Sequence, residues 1–112
     1  MLTREQILGS NDLPSETVDV PEWGGQVSVR TMTGIDRDAF ETTLVGKEGK
    51  LDNVRARLVA LTVCDKSGAR LFGDEDVAAL GGKSAKALDR VFSVAQRLNG
   101  IGAEQVDVAK ND

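Results

Sequence analysis

The apolar positions of this chain repeat most regularly between residues 85 and 99. Leu88, Val91, Phe92, Ala95 and Leu98 recur at i, i+3, i+4, i+7 and i+10, the pattern of one apolar helix face. Ser84 precedes the run as an N-cap, and Asn99-Gly100 follows it as a helix stop. A second helical pattern covers about 51–64, where Leu51, Val54, Leu58, Leu61 and Thr62 share a face that Val59 and Val63 widen. Arg55 and Arg57 are expected to point outward. The end of this run, LTVC, is β-prone and reads equally well as a strand. A third helix is expected at about 34–45, capped by Thr33 with Asp36 and Asp38 near its start. Ile35, Ala39, Phe40 and Leu44 form its expected inner stripe. A short helix over about 74–80 begins at Asp74 and ends at Gly81-Gly82.

Two stretches alternate with period two instead. Val18 and Val20 flank Asp19, and Val27 and Val29 alternate with Ser28 and Arg30. β-branched residues at period two predict strands. PEWGG between them predicts a hairpin, at about 17–31, with its valines on one face and Asp19, Ser28 and Arg30 on the other. The fold class expected is α+β: a small antiparallel hairpin packed on a bundle of helices. Ahead of it, Thr3 and Gln6 have capping-box spacing for a helix over about 4–8 that Gly9 stops. Residues 1–15 and 101–112 are expected to be flexible arms of a single domain spanning 1–112, and GKEGK at 46–50 a mobile loop.

Composition narrows the function classes. At 112 residues with 40% hydrophobic and 29% charged residues, the chain is long enough for one globular domain. Aromatics are 4%, so aliphatic side chains must build the core. Net charge is −4, with residues 1–25 at −4, residues 101–112 at −2 and the body at +2. Acidic ends around a nearly neutral body argue against nucleic acid as a partner, since phosphate binding needs clustered Lys and Arg. No run is long enough to span a membrane, and MLTREQIL is charged at once, so a cytoplasmic protein is expected. Cys64 lies in an apolar run and reads as a small core residue, since no histidine exists to activate it.

Two signals resemble chemistry. GGKS, at 81–84, looks like the end of a phosphate-binding loop, but the glycine that pattern requires five residues before Gly82 is Val77. A helix stop followed by an N-cap explains it. Asp74, Glu75 and Asp76 could suggest a divalent cation, yet consecutive helical residues diverge by about 100° and cannot all face one ion; acidity at a helix start explains them. Without histidine, acid–base chemistry would fall to carboxylates or lysines, and nothing marks such a pair. No cofactor, metal or enzymatic activity is expected. A binding role is, because apolar residues fall where a small domain struggles to cover them: Trp23, Leu71, Phe72 and Ile101. Trp23, the only tryptophan, is of the residue type most enriched at binding hot spots. It either covers the hairpin end or contacts a partner. For Phe72, packing at the margin of the core is the favoured reading.

The order of features has a parent pattern. LTREQIL, VPEWGG followed by VSVR and TG, the turn from Asp65 to Phe72 (DKSGARLF) and the ALDRVF…RLNG helix resemble tail assembly chaperones of bacteriophages and prophages with long, non-contractile tails. The resemblance covers nearly the whole chain and carries no active-site residues. It implies a small α+β or mainly helical protein of the host cell cytoplasm, absent from the mature virion and often self-associating. Such a protein binds the tape measure protein, keeps it soluble and promotes assembly of the tail tube around it. The resemblance also implies a longer product, made by a programmed ribosomal slip, that recruits tail tube protein. Ala109-Lys110-Asn111 can be encoded with the slippery stretch A-AAA-AAC. Two other readings remain open: a head–tail connector or tail-associated virion protein, and a small DNA-binding regulator with a helix-turn-helix near 74–99.

Overall fold

The computed structural model describes residues 1–44 and 53–101; the loop expected at 46–50 and the tail beyond Ile101 lie outside them. The hairpin forms as β1 (Ser15–Val20) and β2 (Gly25–Arg30), antiparallel, with Val18 opposite Val27 and Glu16 opposite Val29. Cross-strand partners share a face, so Val18, Val20, Val27 and Val29 lie together, as the alternation predicts. The strand begins within the segment expected to be an arm. Before it, α1 (Arg4–Leu8) carries the predicted capping box, Thr3 Oγ1 accepting from Gln6 N–H at 3.2 Å and Gln6 Oε1 from Thr3 N–H at 2.9 Å. None of its residues is buried.

The expected 51–64 helix ends early. It is α3 (Val54–Thr62), and Val63–Cys64 continues without a loop as β3, antiparallel to β2, making the sheet three-stranded in the order β1-β2-β3. Two β-branched residues in a row, Thr62 and Val63, tolerate this change of backbone. Thr62 Oγ1 donates to Leu58 O at 2.7 Å, so its buried hydroxyl is satisfied within the last turn. α3 is buried on nearly all sides. Asn53 precedes it in a left-handed conformation, φ 55°.

On α2 (Gly34–Leu44), Thr33 Oγ1 accepts from Asp36 N–H at 3.1 Å as the cap reading predicts. Of the expected inner stripe, Phe40 alone is enclosed among the described side chains, and Leu44's side chain lies outside them. Phe40 is 1% exposed, but Ile35 is 83% exposed and Ala39 is also exposed. Five residues turn a helix by about 500°, so Ile35 lies some 140° from Phe40. Asp36, one turn before Phe40, takes the inward face instead and forms an ion pair with Arg30 at 3.8 Å. Arg30 is 6% exposed, so the second face of the hairpin is not all solvent.

The short helix expected at 74–80 is a 3-10 turn, Asp74–Asp76, running into α4 (Val77–Gly81). Gly73, not Asp74, holds its cap position, and the Asp76 carboxylate reaches back to accept from Gly73 N–H at 2.9 Å. Ser84 caps α5 (Ala85–Leu98) by accepting from Ala87 N–H at 3.2 Å. α5 lies across the valine face of the sheet and buries Ala87, Leu88, Val91, Phe92 and Ala95. It runs antiparallel to β1, since Arg97 pairs with Glu16 at 2.6 Å and Arg90 with Glu22 at 2.8 Å. The core is aliphatic as composition requires, with Val20, Val29, Leu58, Val59, Val63 and Val91 fully enclosed.

Candidate docking surface

The turn that carries Trp23 is built from three residue choices. Pro21 opens a single 3-10 turn, Pro21–Trp23, where its fixed φ suits the first position. Gly24 closes it at φ 76°, ψ 21°, a left-handed conformation that costs glycine nothing, and Gly24 N–H donates to Pro21 O at 3.0 Å. Glu22 fastens the turn to α5: Arg90 Nε donates to both carboxylate oxygens, at 2.8 and 3.1 Å. That hydrogen bond holds the Glu22 carboxyl below its ordinary value, and its counterpart holds the Arg90 guanidinium above its own. The indole is thereby placed at the end of the sheet, half-buried against the rim of the core.

Phe72 reaches the same place from another segment. The turn after β3 is tied by Asp65, whose Oδ1 accepts from Ser67 N–H at 2.8 Å, Ser67 Oγ at 2.7 Å and Ala69 N–H at 3.1 Å. These bonds hold the Asp65 carboxyl below its usual range. The chain then returns beside β3, Leu71 N–H donating to Val63 O at 3.1 Å. Extended residues alternate sides: Leu71 is 53% exposed, whereas Phe72 is half-buried against the core. Trp23 and Phe72, with Leu80 and Lys83, line an open apolar cleft of about 210 Å³.

The four residues singled out by sequence do not form one surface. Trp23 and Phe72 converge. Leu71 borders a different hollow, on the opposite face of the sheet, with Thr17, Ser28 and Cys64. Ile101, expected to be poorly covered, is 6% exposed: Gly100 takes φ 63° and turns the chain back, and Ile101 N–H donates to Gln96 O at 3.0 Å. Leu80 and Lys83 escaped sequence reasoning because they lie on either side of the glycine pair that reads as a helix stop. Exposed apolar side chains also stand at Leu2, Ile7 and Leu8 of the N-terminal segment and at Ile35. Of the acid cluster, Asp74 pairs with Arg70 and Asp76 binds the Gly73 amide. Among the described residues no three His, Cys, Asp or Glu side chains gather as a metal site, and no helix is long and apolar enough to cross a membrane.

Fold and surface together define a small α+β protein with an open apolar cleft at the end of its hairpin among the described residues. A family model described as phage tail assembly chaperone matches residues 10–111, and the chain belongs to that family. It is a bacteriophage tail assembly chaperone by membership, and phage tail proteins are the partners this implies. The solved structure of the bacteriophage HK97 tail assembly chaperone is similar in fold, with a TM-score of 0.64 at 18% sequence identity, covering 88% of this chain and 94% of that one. No curated protein sequence matches.

Proposed function

We propose that this chaperone binds the tape measure protein, keeps that long chain soluble, and promotes assembly of the tail tube around it. The Trp23–Phe72 cleft is the contact surface. One observation carries the reading: the only tryptophan is held by Pro21, Gly24 and the Glu22–Arg90 pair beside an apolar cleft that the described residues leave open. Aromatic side chains in such a setting are the residues that dominate interfaces. A 150 Å³ cavity admits a group of about benzene size, so a cleft of about 210 Å³ has room for one large apolar side chain. Many such contacts along one elongated partner, each weak, add up through several chaperone copies on one chain. Self-association, action in the host cytoplasm, exclusion from the mature virion, and a longer frameshifted product that recruits tail tube protein complete the proposal.

Co-expression with the neighbouring tape measure protein tests it. The tape measure is expected in the soluble fraction only when the chaperone is present, and Trp23→Ala, folded normally, is expected to lose most of that effect. Equal insolubility with and without the chaperone would overturn the function. Full activity of Trp23→Ala would remove the cleft from it. Presence of the chain in purified virions would favour a structural tail component instead, and an AAG codon at Lys110 would eliminate the slip site there.

A further inference from the structure

The sheet has two edges, and the described residues cover one. Beyond β3 the chain returns on itself: Leu71 N–H donates to Val63 O at 3.1 Å and Asp65 N–H to Ala69 O at 2.9 Å. The other edge is β1. Its ladder with β2 runs from Ser15 opposite Arg30 to Val20 opposite Gly25 without a bulge. Thr31 N–H donates to Pro14 O at 3.1 Å, which sets the phase of that ladder. Alternate residues of a strand turn their N–H and C=O to opposite sides. Glu16, Val18 and Val20 therefore serve β2, and Ser15, Thr17 and Asp19 face outward. Among the described residues nothing pairs with those outward backbone groups, and all three residues are exposed. Pro21, which has no N–H, ends the row of donors at Asp19. β1 carries no lysine. Its two acids are already engaged: Glu16 pairs with Arg97 at 2.6 Å, and Asp19 Oδ1 accepts from Gln26 Nε2 at 2.7 Å. An open edge of this kind is a template for another strand.

We infer that β1 pairs with β1 of a second copy, antiparallel about a two-fold axis at Thr17, joining two three-stranded sheets into one. The strand fits its own copy in that register. Thr17 faces the second copy's Thr17 and Ser15 faces its Asp19, so each outward residue gives and takes one backbone bond. Paired threonines favour such a contact, and like charges face to face oppose it. Here the two Asp19 carboxylates stand four residues apart along the strands, about 13 Å, which exceeds the Debye length of about 8 Å at physiological salt. An axis at Asp19 would set those carboxylates face to face. An axis at Ser15 would carry Thr17 and Asp19 past the start of the second copy's strand. The inference rests on the self-association proposed above and gives it an interface.

Sedimentation of the full chain over a dilution series, with amide exchange read residue by residue, tests it. The Ser15, Thr17 and Asp19 amides are expected to be protected while the chain is associated, and to exchange about tenfold faster or more once dilution separates the copies. Thr17→Pro removes one outward N–H and no bond to β2, a change an edge strand tolerates, and should abolish the association. Ser15→Asp sets a like charge opposite Asp19 at both ends of the pairing, and Ser15→Lys an opposite one. Their dissociation constants should fall on either side of the parent's, each displaced by roughly 2- to 30-fold, with the unfolding midpoint confirming an intact fold. Association with these amides still exchanging fast would leave self-association standing and remove β1 from it. Protection that dilution does not change would put a segment of the same chain on the edge and overturn the inference. So would Ser15→Asp and Ser15→Lys shifting the association alike. A chain that stays monomeric at every concentration overturns the self-association reading as well.

Discussion

Removing the side chain of Asn99 should destabilise the fold more than its half-buried position suggests. Asn99 follows α5 and joins three segments. Its Oδ1 accepts from Met32 N–H at 2.7 Å, its Nδ2 donates to Ala95 O at 2.8 Å, and its backbone oxygen accepts from Arg37 Nη1 at 2.6 Å. Met32 is 8% exposed and sits in the link between β2 and α2, where no ladder partner serves its amide. Asn99→Ala therefore leaves a buried N–H without an acceptor, a loss of about 1–3 kcal/mol. The lost bond to Ala95 O adds less, because that carbonyl also accepts from Asn99 N–H at 3.0 Å. A total near 2 kcal/mol is a large share of the 5–15 kcal/mol that holds a typical domain. Urea unfolding followed by Trp23 emission should show a midpoint lower by about 1 M, for an m value near 2 kcal/mol/M. Exchange of the Met32 amide should accelerate by about tenfold or more. A change below about 0.5 kcal/mol with Met32 exchange unaltered would refute the reasoning, because the amide would then have found another acceptor at no cost.

Leu58→Ala, at a side chain with no exposure, should cost about 2–5 kcal/mol, whereas Ile35→Ser, at 83% exposure, should stay within about 0.5 kcal/mol; paired urea titrations compare them. Acid should weaken the fold through Glu22 and Asp65, both held below their ordinary values of 4.5 and 3.8. A depressed carboxyl stabilises the native state fully above its unfolded pKa and loses that contribution as pH falls through the native one. Glu22→Gln combined with Asp65→Asn should therefore flatten the decline in unfolding midpoint between about pH 5 and 2, and an unchanged decline would show that other carboxylates govern it.

Much of the fold is legible in one dimension. The repeat from Leu88 to Leu98 spans enough turns to fix α5 and its buried face, and valines at period two fix the hairpin and its inner side. β3 is harder, because Val63–Cys64 is too short to show any period, so only its pairing with Val29 and Ser28 distinguishes strand from helix. The error at Ile35 has a tertiary cause: the Arg30–Asp36 pair claims the face that hydrophobicity assigns to isoleucine. The cleft was half legible. Trp23 and Phe72 announce themselves as scarce aromatics, but their meeting with Leu80 and Lys83 is a fact of chain path that no local pattern contains.

The direct passage from α3 into β3 bears on the order in which the molecule folds. β1 and β2 meet across one short turn and can zip locally. β3 must find a partner from far along the chain, and Ser28 and Cys64 lie 36 residues apart. That closure bears a loop entropy the hairpin avoids. Because no loop separates α3 from β3, the strand can be seated only when the helix is in place. The one cysteine of the chain sits on that strand and is buried in the finished fold. Its reactivity toward a thiol reagent during refolding is therefore a clock: loss of Cys64 labelling times the moment the distant strand arrives, and Trp23 emission times the closing of the hairpin end against Phe72 and Leu80.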